Sequence, residues 1–204
     1  IYGGGNKVNT NTSNITIKSN QNKIPNIYGG GNEAGVTTTN ILLDGGSAEN
    51  VFGGSNTSGT VETSNIEAKK GTYSNIYGGN NQGGTTNITR LKIDGVSATN
   101  VFGGGNKADT PTSNVYLLSG QATNIYGGGN EAGVTNANVN LTSGKSENVF
   151  GGSNNSGIVE TSNITTETEI DNNLQVTNIY GGNNAGGLTK NPNIKVAGGT
   201  IENI

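Results

Sequence analysis

Apolar residues fall in columns along this chain, and within each column the period is two. The pattern x-[IVL]-x-[IVL] recurs at Ile15/Ile17, Ile41/Leu43, Ile66/Ala68, Leu91/Ile93, Val115/Leu117, Val139/Leu141 and Ile194/Val196. The residues between them change freely, from Thr16 to Leu42, Glu67 and Lys92. That is the signature of a strand with one buried face. A second column, Thr10, Val36, Thr60, Thr85, Thr110, Val134, Ile158 and Leu188, is small or β-branched and predicts another strand. A third strand is predicted at the recurring string N-[IV]-[YF]-G-G. No stripe of period 3.6 appears, and Gly, Asn and Thr dominate, which disfavours helix.

The string sets the period. It starts at Ile1, Ile27, Val51, Ile76, Val101, Ile125, Val149, Ile179 and Ile204, at intervals of 26, 24, 25, 25, 24, 24, 30 and 25 residues. A longer period lies on top of it. "GGGNEAGVT" at Gly29 returns at Gly127, and "VETSNI" at Val61 returns at Val159. Eight units therefore run as two four-unit blocks, about 1–100 and 101–203. One insertion falls near 165–176, where Thr166 also replaces an aliphatic residue.

Three short strands in 24 to 25 residues, joined by turns of Gly, Asn and Ser, predict an all-β, single-stranded β-solenoid (β-helix) of eight coils. One unit cannot bury a face alone, but stacking sets equivalent positions about 4.8 Å apart. Eight coils give a rod roughly 38 Å long at that spacing. The expected domain is one continuous segment, 1–204, of a longer array, because the chain opens inside a motif and closes on the first letter of the next.

The tightest columns are asparagine. One precedes the aromatic strand: Asn26, Asn50, Asn75, Asn100, Asn124, Asn148, Asn178 and Asn203. The other follows the glycines: Asn6, Asn32, Asn56, Asn81, Asn106, Asn130, Asn154 and Asn184. An amide both donates and accepts, so in-register asparagines can bond from coil to coil as a ladder at the turns. Recurrence in every coil favours that structural reading over ligand binding.

The aromatic column is Tyr2, Tyr28, Phe52, Tyr77, Phe102, Tyr126, Phe150 and Tyr180. If alternation is strict and the preceding Ile or Val points inward, these rings point outward. They would then form an exposed stripe over a glycine floor, a candidate surface for carbohydrate or for self-association. The competing expectation is a ring ladder that belongs to the core or its edge.

Composition narrows the chemistry. Charged residues are 12% and the net charge is -3, with no basic stripe for nucleic acid. Gly reaches 36 of 204 and Asn matches it, while Ile, Val, Leu and Phe make about a fifth. With no His, no Cys and a single Arg, most general bases, metal clusters and nucleophile dyads are missing. No carboxylate pair recurs on one strand face as glycoside hydrolysis needs. The expectation is a non-enzyme with no cofactor and no metal. The glycines are not a phosphate loop, since no helix or Lys-Ser/Thr pair follows. Calcium-binding nonapeptide repeats need an Asp in each unit, which is absent. Ice binding would use an outward row read as Thr12, Thr38, Glu62, Asn87, Thr112, Asn136, Glu160 and Lys190, too interrupted to match a lattice. No apolar run approaches the roughly 18 residues of a membrane span.

Tandem "N-[IV]-[YF]-G-G-G-N" units of about 25 residues resemble the glycine- and asparagine-rich repeats of very long bacterial surface proteins. The resemblance covers the whole chain. It implies a secreted or wall-attached β-helical stalk, adhesin or fibre. Open edges at both ends make further coils or neighbouring copies end to end the expected partners, with glycans the alternative on the aromatic stripe. The architecture is similar to that of pectin-degrading enzymes, but their catalytic groups have no counterpart here. Polysaccharide lyase or hydrolase activity is therefore the weaker alternative.

Overall fold

The computed structural model describes residues 1–19, 21–167 and 173–204. Twelve strands form a single sheet in which every pairing is parallel, and no helix occurs among the described residues. The chain is a β-solenoid of about eight turns. Each coil stacks on the one before, so Ile15 pairs with Ile41, Ile41 with Ile66, Ile66 with Leu91 and Leu91 with Val115. In the middle coils two arms of the coil run on as one long bent strand: Val36–Phe52, Thr60–Tyr77, Thr85–Phe102 and Thr110–Tyr126. Two consecutive outward residues, Thr37 and Thr38, mark a corner within the first of these. A glycine with positive φ turns the next corner, as at Gly71 (φ 108°) and Gly95 (φ 111°).

The core is what the period-two columns predict. Ile27, Leu43, Ile66, Leu91, Val115 and Val139 are buried in one cluster that runs the length of the rod. Coil 3 breaks its columns twice. Ala68 stands where its stacked partners are Leu43 and Ile93, and Tyr73 stands where they are Ala48 and Ala98. A small residue and a large one have traded places, which keeps the coil's core volume nearly constant. Tyr73 is 1% exposed, and its hydroxyl donates to the Gly45 carbonyl at 2.6 Å, so the polar tip is satisfied.

The second column requires correction. Val36 pairs with Val61, not Thr60, and Val134 pairs with Val159, not Ile158. The buried column is Val36, Val61, Thr86, Thr110, Val134 and Val159, while Thr60, Ile158 and Leu188 are exposed. The cause is one extra residue between the ladder asparagine and the inward residue in coils 3, 4, 7 and 8. Gly59, Gly84, Gly157 and Gly187 absorb it, at φ of 110°, 76°, 113° and 87°, a region closed to side chains with a Cβ. The outward row shifts likewise. Thr38 pairs with Thr63, Ile88 with Thr112 and Asn136 with Thr161, so Glu62, Asn87, Glu160 and Lys190 leave that row.

Thr166 in coil 7 is buried and fully engaged. Its hydroxyl donates to the Gly198 carbonyl at 2.7 Å and accepts from the Ala197 amide at 2.9 Å. The centre of the expected insertion, residues 168–172, lies outside the described residues.

The traded pair in coil 3 makes a stability prediction. Tyr73→Ala lowers unfolding free energy by about 3–5 kcal/mol, the range for removing a large buried ring. Adding Ala68→Leu recovers part of that loss, measured by urea denaturation. Equal losses in the single and double variants would show that the two sites do not share volume.

Candidate functional site: the aromatic and asparagine ladders

The string N-[IV]-[YF]-G-G places three side chains in three environments. Ile27 points into the main core and Tyr28 to the opposite side of the strand, as alternation requires. The outward side is not solvent. Tyr28, Phe52, Tyr77, Phe102, Tyr126 and Phe150 form a second buried cluster, each 2–7% exposed. Their rings stack with centroids 4.5–5.1 Å apart and planes within 15°. Only Tyr2 and Tyr180, at the two ends of the stack, stand about half exposed, at 49% and 47%.

The exposed stripe expected from alternation is therefore corrected. Each inner ring face is covered by the rings above and below, leaving no face on which a sugar could stack. The chain that follows each ring turns beside it, and the tyrosine hydroxyls meet the second asparagine column two coils further on. Asn56 donates to the Tyr2 hydroxyl at 3.2 Å, and Asn81 and Asn184 beside the Tyr28 and Tyr126 hydroxyls oppose the rise in their pKa. Burial raises the pKa of Tyr28 and Tyr126. Burial, then the Asp44 carboxylate, pushes Tyr73 up to about 12. Burial, then Glu131, does the same for Tyr77, also to about 12.

Both asparagine columns form complete ladders. From Asn26 to Asn203 each amide Nδ2 donates to the Oδ1 of the coil before it, seven bonds of 2.9–3.0 Å. From Asn6 to Asn184 the same arrangement gives seven bonds of 2.8–3.0 Å. A third ladder, which column reading missed, lies on the outward face of the strand that carries Ile15/Ile17 and its copies. Asn14, Asn40 and Asn65 bond in sequence, and so do Asn114, Asn138, Asn163 and Asn193, at 2.9–3.2 Å. Its signal was the Asn just before each aliphatic pair, hidden by the surrounding Thr and Asn.

The position after Gly-Gly explains the four-coil period. It reads Gly5, Gly31, Ser55, Asn80, then Gly105, Gly129, Ser153, Asn183. Ser55 Oγ donates to the Ala34 carbonyl at 2.8 Å and accepts from the Gly31 amide at 3.2 Å. Asn80 Oδ1 accepts from the Ser55 amide at 2.7 Å and from Thr86 Oγ1 at 2.8 Å. Its Nδ2 donates to the Gly59 and Gly83 carbonyls, both at 2.9 Å. Ser153 and Asn183 repeat these contacts one block later. The clamp binds the longer loops of coils 3, 4, 7 and 8 to the coil beneath. It also requires Gly54, where a Cβ would sit 1.9 Å from Asn80 Oδ1.

Acidic groups do not converge. No group of three or more potential metal-ligating residues occurs among the described residues, and Glu169 and Asp171 lie outside them. Salt bridges such as Lys190–Glu160 (2.7 Å) join neighbouring coils at the surface, where such pairs contribute little. No family model, no curated protein and no solved structure matches this chain.

Replacing Asn124 by Ala breaks two bonds in mid-ladder and strands both neighbours, lowering stability by about 1–3 kcal/mol. Asn203→Ala removes one terminal bond and has a smaller effect in the same denaturation assay. The raised tyrosines set the pH dependence. Tyr73 and Tyr77, held near 12 against an unfolded value of about 10, keep protons that the unfolded chain releases. Their contribution is complete below about pH 10 and is lost as pH rises through about 12. Tyr77→Phe flattens that alkaline loss with little change at neutral pH, followed by circular dichroism and tyrosinate absorbance. An unchanged alkaline profile would remove Tyr77 from the account.

Proposed function

We propose that this segment is a rigid spacer: a length of extracellular stalk, adhesin or fibre at a bacterial surface, with no catalytic role. The observation that carries this reading is the continuity of the ladders. The same aromatic and amide contacts recur from coil 1 to coil 8. Repetition of that kind adds length and stiffness, and the resemblance of the motif to long surface-protein repeats supports the location. The end faces fit further coils, in the same chain or in a neighbouring copy. Ile1, Tyr2, Tyr180, Ile194 and Val196 are exposed there, and their equivalents in inner coils are buried. The lack of His and Cys supports the non-catalytic reading.

Length is the property to measure. Inserting a second copy of residues 101–203 adds four coils and should extend the rod by about 19 Å at unchanged cross-section. Small-angle X-ray scattering reads both quantities. A compact particle, or growth in cross-section, would sink the spacer reading. Sedimentation tests the end faces: association that rises with concentration supports end-to-end contact, and a strict monomer at all concentrations opposes it.

A further inference from the structure

The third asparagine ladder has one defect, and it is the only arginine in the chain. Arg90 is stacked directly between Asn65 and Asn114, in a row where Asn14, Asn40, Asn65, Asn114, Asn138, Asn163 and Asn193 hold every other place. The substitution interrupts the ladder. Asn114 turns its Nδ2 to the Thr89 carbonyl at 2.9 Å, and no amide donates to Asn65 from the next coil. Arg90 gives the scaffold nothing in exchange. It is exposed and, among the described residues, forms no ion pair, and neither does Lys92 beside it. A local rule broken without structural gain is where function is to be sought.

The defect stands at one end of a trough of about 410 Å³ on the outer face of coils 1 to 4. Asn14, Asn40 and Asn65 form one side and Leu42 and Glu67 lie along the other, with Arg90 and Lys92 closing the coil-4 end. Along this wall Asn40 uses one N–H and one lone pair on its ladder neighbours, Asn65 only an N–H and Asn14 only a lone pair, so each amide keeps donor and acceptor capacity for a ligand in the trough. Donor and acceptor therefore alternate along the wall every 4.8 Å or so. That pattern suits a chain of hydroxyl-bearing rings. An added peptide strand has no purchase, because the backbone groups of these strands are already paired within the sheet. Arg90 and Lys92, two residues apart on one strand face, supply a guanidinium fork and an ammonium for an anionic substituent. Glu67, by contrast, is held by Lys69 at 3.3 Å.

We propose that this trough binds a short acidic oligosaccharide, with its anionic group on Arg90 and Lys92 and its hydroxyls on Asn40 and Asn65. The site is separate from the aromatic ladder and from the spacer reading. The block-equivalent positions in coil 8 are Asn193 and Lys195, so the second block lacks the arginine.

Arg90→Asn is an unusually clean test, because it restores the ladder while removing the cation. Calorimetric titration of the chain would use three probes of matched length: an oligogalacturonide, a sulfated heparin fragment and a neutral malto-oligosaccharide. At least one acidic probe should bind and the neutral one should not. Arg90→Asn should keep or raise the melting temperature and weaken acidic binding at least tenfold. Lys92→Gln should weaken it less, and Lys195→Gln should leave it unchanged. The tighter of the two acidic probes identifies the anion. The proposal falls if no acidic probe binds, if the neutral probe binds equally well, if Arg90→Asn keeps wild-type affinity, or if Lys195→Gln weakens binding as much as Arg90→Asn does.

Discussion

Parallel, in-register stacking is the constraint on which everything else in this molecule depends. Once one coil lies on the next at hydrogen-bonding distance, every side chain sits above its own counterpart. Only side chains that tolerate a copy of themselves at that distance can occupy a column. Aliphatics pack, flat rings stack at 4.5–5.1 Å, and amides bond at 2.8–3.0 Å. Like charges do not tolerate it, which accounts for a sequence with 12% charged residues, several of them paired with opposite charges on neighbouring coils. The composition that looks like low complexity is the set of residues able to stack.

Within that constraint the coils are not identical, and their differences are organised. Short and long loops alternate in pairs, and the long ones carry the Ser55/Asn80 and Ser153/Asn183 clamps. A buried amide with both its donors and its acceptor used rigidifies the corner it holds. The four-coil period in the sequence is thus the footprint of one polar cluster that spans three successive coils. Coil 3 shows how variation is accommodated elsewhere, with Ala68 and Tyr73 exchanging bulk inside one cross-section.

Much of this was legible from the residues. The two invariant asparagine columns and the Ile/Leu/Val columns gave coil number, stacking and ladders, because stacking turns sequence period directly into contact. Three features were hidden for physical reasons. A single extra glycine per loop moved the inward residue from Thr60 to Val61, and counting from the motif cannot detect a residue absorbed at positive φ. Alternation placed Tyr28 and its counterparts on the outer side of their strand, but it could not say what covers that side. Asn40 and its partners looked like ordinary residues of a Thr- and Asn-rich strand, so the third ladder, and the break that Arg90 makes in it, passed unnoticed.

The amide ladders also carry a direction. In every ladder bond of all three, the Nδ2 donates toward the N-terminal coil and the Oδ1 accepts from the C-terminal one. The amide dipoles therefore add along the axis, much as peptide dipoles add in a helix. At the ladder positions any cross-section through the rod has two unlike faces, one offering side-chain N–H groups and the other side-chain carbonyl oxygens. Two such rods can join these ladders tip to tail but not tip to tip, so an assembly built on them is a vectorial filament. Whatever seals one end needs the opposite chemistry from whatever seals the other.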